Sequence, residues 1–131
     1  SSTVNAVIAQ RLVRKICVRC RMSRDVGANE LTRSLSVHVL EKLARRRKSV
    51  RVYQGKGCEL CNGTGYSGRT GIFEVLPVKE NVRQLIMANA DADAIEKAAK
   101  EDGMETMLDD GIEKVLQGIT TIEEVLRVIR S

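Results

Sequence analysis

Apolar residues recur at two different rhythms along this chain, and the rhythm changes between its ends and its middle. Residues 2–16 place Val4, Val7, Ile8, Leu12 and Ile16 near one face at helical spacing, with Ser2 or Thr3 available as N-cap, so the pattern predicts a helix. Residues 29–48 carry Leu31, Leu35, Val39, Leu40 and Leu43 at mostly three- and four-residue intervals. That second predicted helix ends in Arg45-Arg46-Arg47-Lys48, cations that complement the dipole of a last turn. From Ser49 the period shortens to two. Val50 and Val52 mark a short strand over residues 49–54 that runs into Gly55 and Gly57.

A glycine-dense stretch over residues 62–71 can turn through positive φ, and residues 72–78 read as a strand stopped by Pro77. The helical period then returns. Residues 81–88 would bury Val82, Leu85 and Ile86, and a short helix from Asp91 or Asp93 through Ile95 and Ala99 would end at Gly103. Residues 104–117 follow, with Gly118 as their stop, and Thr121 with Glu124 predicts a capping box for a last helix burying Ile122, Val125, Leu126 and Ile129. The predicted class is α+β, mainly α: a small cysteine-bearing subdomain with short strands, then a C-terminal helical bundle with the methionines in its core.

The candidate chemistry lies in Cys17-Val18-Arg19-Cys20 and Cys58-Glu59-Leu60-Cys61. Two residues between cysteines let the backbone turn both sulfurs toward one ion, and the second pair supplies the other half of a tetrahedron, so Cys17, Cys20, Cys58 and Cys61 predict a structural zinc site. The segment between the pairs must then fold as an insert whose ends meet at the metal. Disulfides fit less well, because no charged-then-apolar signal segment opens the chain. A redox dithiol is usually one motif beside a strand and helix, not two matched pairs. His38, the only histidine, reads as a half-buried polar residue, since four thiolates already fill a closed site.

Charge changes this picture by being unevenly divided. Residues 1–70 carry 15 Lys and Arg against 4 Asp and Glu, whereas residues 71–131 carry 7 against 13. The basic half suggests an anionic partner, and the alternative is a solvated face balanced within the chain. Tyr53, Tyr66 and Phe73 are the only aromatics, which argues against a stacking platform for single-stranded nucleic acid. No apolar run reaches the length of a membrane span. No G-x-x-x-x-G-K-[ST] occurs, so the glycine stretch is not a Walker A loop.

The strings NAVIAQRLVRKICVRC, GKGCELCNGTGYSGRTGIFEVLPV and DGMETMLDDGIEKVLQGITTIEEVLRV, in that order, resemble the C-terminal end of the type II secretion and type IV pilus assembly ATPases. The insert over residues 21–56 departs most. The resemblance implies a cytoplasmic hexameric motor at the bacterial inner membrane that hydrolyses ATP, with magnesium, to drive pseudopilin or pilin assembly through a platform protein. It further implies that residues 1–16 are the final helix of the ATPase core, 17–71 the tetracysteine zinc subdomain with a basic helical insert and 72–131 a strand and the C-terminal helical subdomain. The P-loop, the catalytic glutamate and the Walker B segment would lie before Ser1, so this stretch carries no catalytic residue and should not hydrolyse ATP alone.

Arg69, in the G-R-x-G pattern, is implied to reach a neighbouring subunit or its nucleotide phosphates, and its alternative is an intrachain pair with Glu74 or a helix end. Arg45, Arg46, Arg47 and Lys48 would face the anionic membrane surface or an acidic patch on a platform protein. Two other classes compete. CELCNGTG also fits the zinc repeat of J-domain chaperones, but the first knuckle lacks its glycines; a basic zinc module for nucleic acid is supported by the charge alone.

Overall fold

The computed structural model describes residues 5–27 and 49–130. The helix expected over residues 29–48, with His38, Arg45, Arg46, Arg47 and Lys48, lies outside the described residues. Within them, strands β1 (Ala6–Ile16), β2 (Arg21–Gly27), β3 (Ser49–Gly55) and β4 (Tyr66–Pro77) precede helices α1 (Glu80–Met87), α2 (Ala92–Glu101), α3 (Met107–Leu116) and α4 (Ile122–Arg130). The class is mixed α+β. Strands are about as abundant as helices, so the expectation of a mainly helical chain is corrected.

The largest correction is at the start. Residues expected to form the final helix of an ATPase core are β1, paired antiparallel with β4 from Ala6↔Pro77 to Ile16↔Tyr66, with an irregularity between Arg14 and Ile16. Val7, Ile8, Val13 and Ile16 are β-branched and fit a pleated surface better than a helix. The deciding partner, Ile72 on β4, is too distant in sequence for a periodicity argument to include. The second ribbon, β2 with β3, runs from Arg21↔Gly55 to Gly27↔Ser49 and is nested inside the first in chain order. Residues 21–27, assigned to a helix-rich insert, are therefore strand.

The α3–α4 hairpin holds the ribbons together. On one side Ile112 of α3 packs with Val26 and Val50 of β2 and β3. On the other, Val115, Val125 and Val128 pack with Val13 and Ile72, which are fully buried. Each such aliphatic side chain contributes about 1.5–3 kcal/mol on leaving water. Val52, Leu108 and Ile122 touch both clusters, so they form one continuous layer of helices against strands, not a bundle. Helices α1 and α2 make a separate small core of Val82, Ala98 and Ala99 with Val78. Met104 and Met107 join these cores, but Met22 and Met87 are exposed.

The helix ends follow sequence logic with one exchange. Asp91 caps α2 by accepting from the Ala94 amide at 2.8 Å. A reciprocal capping box forms at α3, where Thr106 accepts from the Asp109 amide and Asp109 accepts from the Thr106 amide, so that helix begins three residues later than its apolar pattern suggested. At α4 only half of the expected box forms. Thr121 accepts from the Glu124 amide at 3.1 Å, but the Glu124 carboxylate points elsewhere.

Candidate metal centre

Each cysteine pair sits in a turn where one ribbon gives way to the other. Cys17 directly follows β1 and Cys20 directly precedes β2; Cys58 and Cys61 lie between β3 and β4. The expectation that a helix end delivers Cys17 is thus replaced by a strand end. Backbone bonds tie the turns together: the Cys17 amide donates to the Gly65 carbonyl at 2.9 Å and the Lys56 amide to the Cys20 carbonyl at 3.1 Å. The approach is so close that a Cβ on Gly55 would stand 2.1 Å from the Gly65 oxygen, so this crossing admits no side chain.

The result is a compact set of sulfurs. Sγ atoms are 3.8 Å apart for Cys17 and Cys58, 3.8 Å for Cys20 and Cys61, and 3.7 Å for Cys58 and Cys61, and all four lie within 4.8 Å of one another. None is in a disulfide. With Zn–S near 2.3 Å, tetrahedral sulfurs would stand about 3.8 Å apart, so the donor set and its spacing fit zinc.

Backbone donors surround the sulfurs as they surround thiolates in metal knuckles. Cys61 Sγ accepts from the amides of Cys58 and Gly65, each at 3.2 Å, and Cys20 Sγ accepts from the Gly57 amide at 3.3 Å. Burial alone would push the Cys61 thiol up, but these amides outweigh it and hold it at about 6. The Cys17 thiol is lowered, chiefly by the Cys20 backbone. Burial pushes the Cys20 thiol up to about 11. Cys17 and Cys61 are buried, and Cys20 and Cys58 are half-buried.

A polar network that the sequence reading missed couples this centre to α4. Glu124, almost fully buried, accepts from the Arg14 backbone amide, from Arg14 Nε and Nη2, and from Arg127. Burial raises its pKa, yet bonds from Arg127 and Arg14 more than offset this and bring it to about 2. The Arg14 guanidinium lies 4.2 Å from the centre of the Tyr66 ring, and the Tyr66 hydroxyl meets Thr121 Oγ1 at 2.8 Å. Next to Cys17, the Ile16 amide donates to the Ile119 carbonyl at 2.8 Å, in the turn between α3 and α4. The only sequence signal for this was the T-x-x-E at residues 121–124, whose glutamate serves β1 rather than its own helix.

Arg69 is exposed on β4, opposite Arg14 in register. Glu74, its expected intrachain alternative, instead accepts from the Met107 amide at 3.1 Å, and among the described residues Arg69 makes no ion pair. Among the described residues no helix is long and apolar enough to cross a membrane.

The sequence has relatives among known proteins. A family profile described as type II/IV secretion system protein matches residues 1–127. The type IV pilus assembly ATPase PilB of Thermus thermophilus is 40% identical over 126 residues, 96% of this chain and 14% of that protein. Type II secretion system protein E of Aeromonas hydrophila is 43% identical over 130 residues, 99% of this chain and 24% of that protein. The type II secretion system ATPase E of Vibrio cholerae is 38% identical over 132 residues, again 99% and 24%. The chain thus spans a quarter or less of the length of these relatives.

Proposed function

The chain belongs to the type II/IV secretion system protein family, and on that premise we propose that it is the zinc-bearing part of a hexameric ATPase powering pseudopilin or pilin assembly. The names of its relatives support the ATPase reading. The observation that carries the role of this part is the set of four sulfurs at tetrahedral spacing, joined to α4 through β1. Four thiolates leave an ion no open coordination position, so bound zinc would tie the chain rather than catalyse. ATP and magnesium would be held by other parts of the parent, and catalysis would lie outside these residues.

Residues 1–16 belong, on this reading, with the ATPase core, as a strand instead of its final helix. Ile8 and Leu12 on β1 and Phe73 and Val75 on β4 are exposed on one ribbon, an apolar surface suited to a further layer of the parent. Residues 17–71 form the zinc subdomain, and 72–131 carry the rest of β4 and the helical subdomain. Arg69 contributes a subunit contact, and Arg45, Arg46, Arg47 and Lys48 face an anionic membrane surface or a platform protein at the cytoplasmic side of the inner membrane.

The test is made in the full-length parent. Cys58→Ser should remove zinc, hexamer and most ATPase activity together, while nucleotide still binds the monomer. A zinc-free variant that retains hexamer and turnover would remove the structural role proposed for this part.

A further inference from the structure

The first cysteine knuckle presents two side chains that nothing else among the described residues engages. Val18 is 76% exposed, and Arg19 beside it is exposed and makes no ion pair among the described residues. A single exposed valine is ordinary on a protein surface. This one stands on a metal-binding turn next to a cation, so the turn offers an apolar side chain and a positive charge together.

At the other end of the β1–β4 ribbon a groove of about 310 Å³ opens between the ribbon and α2. Val7, Ala9 and Leu76 come from the ribbon, Ala92 and Ile95 from α2, and Met104 from the segment that follows it. The charged residues lining it are both carboxylates, Glu74 and Glu96. Glu74, opposite Ala9 in the register, accepts from the Met107 amide through one oxygen. Glu96 shares an exposed pair with Lys100 at 3.2 Å, an interaction weak enough to be exchanged for a better partner.

These two surfaces are complementary but cannot meet within one chain. Strand β1 from Ala9 to Ile16 lies between them, and at about 3.3 Å per residue it holds them more than about 20 Å apart. Between copies they can meet head to tail, the kind of contact that repeats into a ring when its rotation closes. The overall charge division agrees, with 15 Lys and Arg against 4 Asp and Glu over residues 1–70 and 7 against 13 over residues 71–131. The second knuckle fits less well: Leu60 is exposed there, but its neighbour Glu59 would bring a carboxylate to two carboxylates.

We propose that the Val18–Arg19 turn of one copy docks in the α2 groove of the next, Val18 on the apolar lining and Arg19 against Glu96. The contact rests on the hexamer proposed above and names one of its surfaces. Both docking residues lie between Cys17 and Cys20, so their turn is fixed when the metal site is loaded and little order is lost on docking. Arginine suits the position because its planar fork can take both oxygens of a carboxylate.

The test uses the full-length parent, with zinc content measured for every variant. In sedimentation velocity, Arg19→Glu and Glu96→Arg should each raise the concentration for half-assembly by about tenfold. Both changes in one chain should restore most of the loss, because every contact then pairs one reversed charge with the other. Zinc content and monomer melting should stay at parent values throughout. A benzophenone amino acid replacing Val18 should cross-link to residues 92–104 of a second copy. Undiminished assembly of Arg19→Glu, no recovery in the double variant, or cross-links only outside the groove would overturn this contact and leave the ring standing. A parent that forms no assembly at any concentration would overturn the ring and the contact together.

Discussion

Arg14 on β1 gives both its backbone amide and its guanidinium to the carboxylate of Glu124 on α4, across 110 residues of sequence. The pair is asymmetric: the carboxylate is almost entirely out of water, while the Arg14 side chain remains 45% exposed. Glu124 also carries the Arg127 guanidinium, so it is a junction between the ribbon and its own helix.

Replacing Glu124 with alanine should cost about 2–3 kcal/mol, below the usual range for breaking a buried pair because both guanidiniums keep water contact. The pair should also be acid-sensitive. The carboxyl falls from an ordinary 4.5 to about 2 in the folded chain. The unfolded chain therefore binds the proton first, and the contribution is full above about pH 5 and lost as pH falls toward 2. Urea unfolding at pH 7 and pH 3 should show a difference between parent chain and Glu124→Ala that shrinks at the lower pH.

Serine at Cys61 should abolish stoichiometric zinc binding, expected at one ion per chain by elemental analysis. Loss of the ion should not stop at the knuckles, because Val13, Val26 and Val50 share their cores with α3 and α4. Hydrogen exchange should accelerate in all four strands and in α3 and α4, while α1 and α2, with their own core, remain more protected. Equal acceleration everywhere would mean that the small core has no separate stability.

Gly111→Ala should destabilise the chain despite alanine's better helix propensity. A Cβ there would stand 2.5 Å from Val125 Cγ1, where α3 crosses α4. Overpacking of this kind costs about 1–3 kcal/mol, against roughly 1 kcal/mol gained in propensity. Val125→Ala, which costs stability by itself, should cost less in the Gly111→Ala background than in the parent chain. An equal cost in both backgrounds would locate the Gly111→Ala loss elsewhere.

Arg69→Ala should change the unfolding free energy by less than about 0.5 kcal/mol, as an exposed side chain without an ionic partner among the described residues. In the full-length parent the same change should lower hexamer content and ATPase activity together. If melting falls and activity per hexamer does not, Arg69 is an internal tie.

The gathering of the four cysteines was legible in sequence because each half of it is local: two cysteines with two residues between them fix their own turn. Strand β3, Pro77 as a strand stop and the glycine stops of α2 and α3 were legible for the same reason. Strand β1 was not. Its residues carry helical spacing and β-branching together, and the choice was made by β4, some sixty residues away. Glu124 was misassigned for a related cause: a T-x-x-E can close its own helix or release its glutamate, and only the approach of Arg14 decides which. Sequence periodicity contains no information about that approach.

The nested ribbons impose an order on the birth of the molecule. Strand β1 is made before the other described elements, yet its partner β4 comes only after both knuckles, and the carboxylate that receives Arg14 comes later still, on α4. Synthesis must run past Glu124 before strand β1 can be sealed. Until then an apolar strand waits with its edges unpaired, the state most open to wrong pairing with another chain. A metal ion captured at Cys17, Cys20, Cys58 and Cys61 would shorten that wait, because it closes the long loop before the last helix has been made.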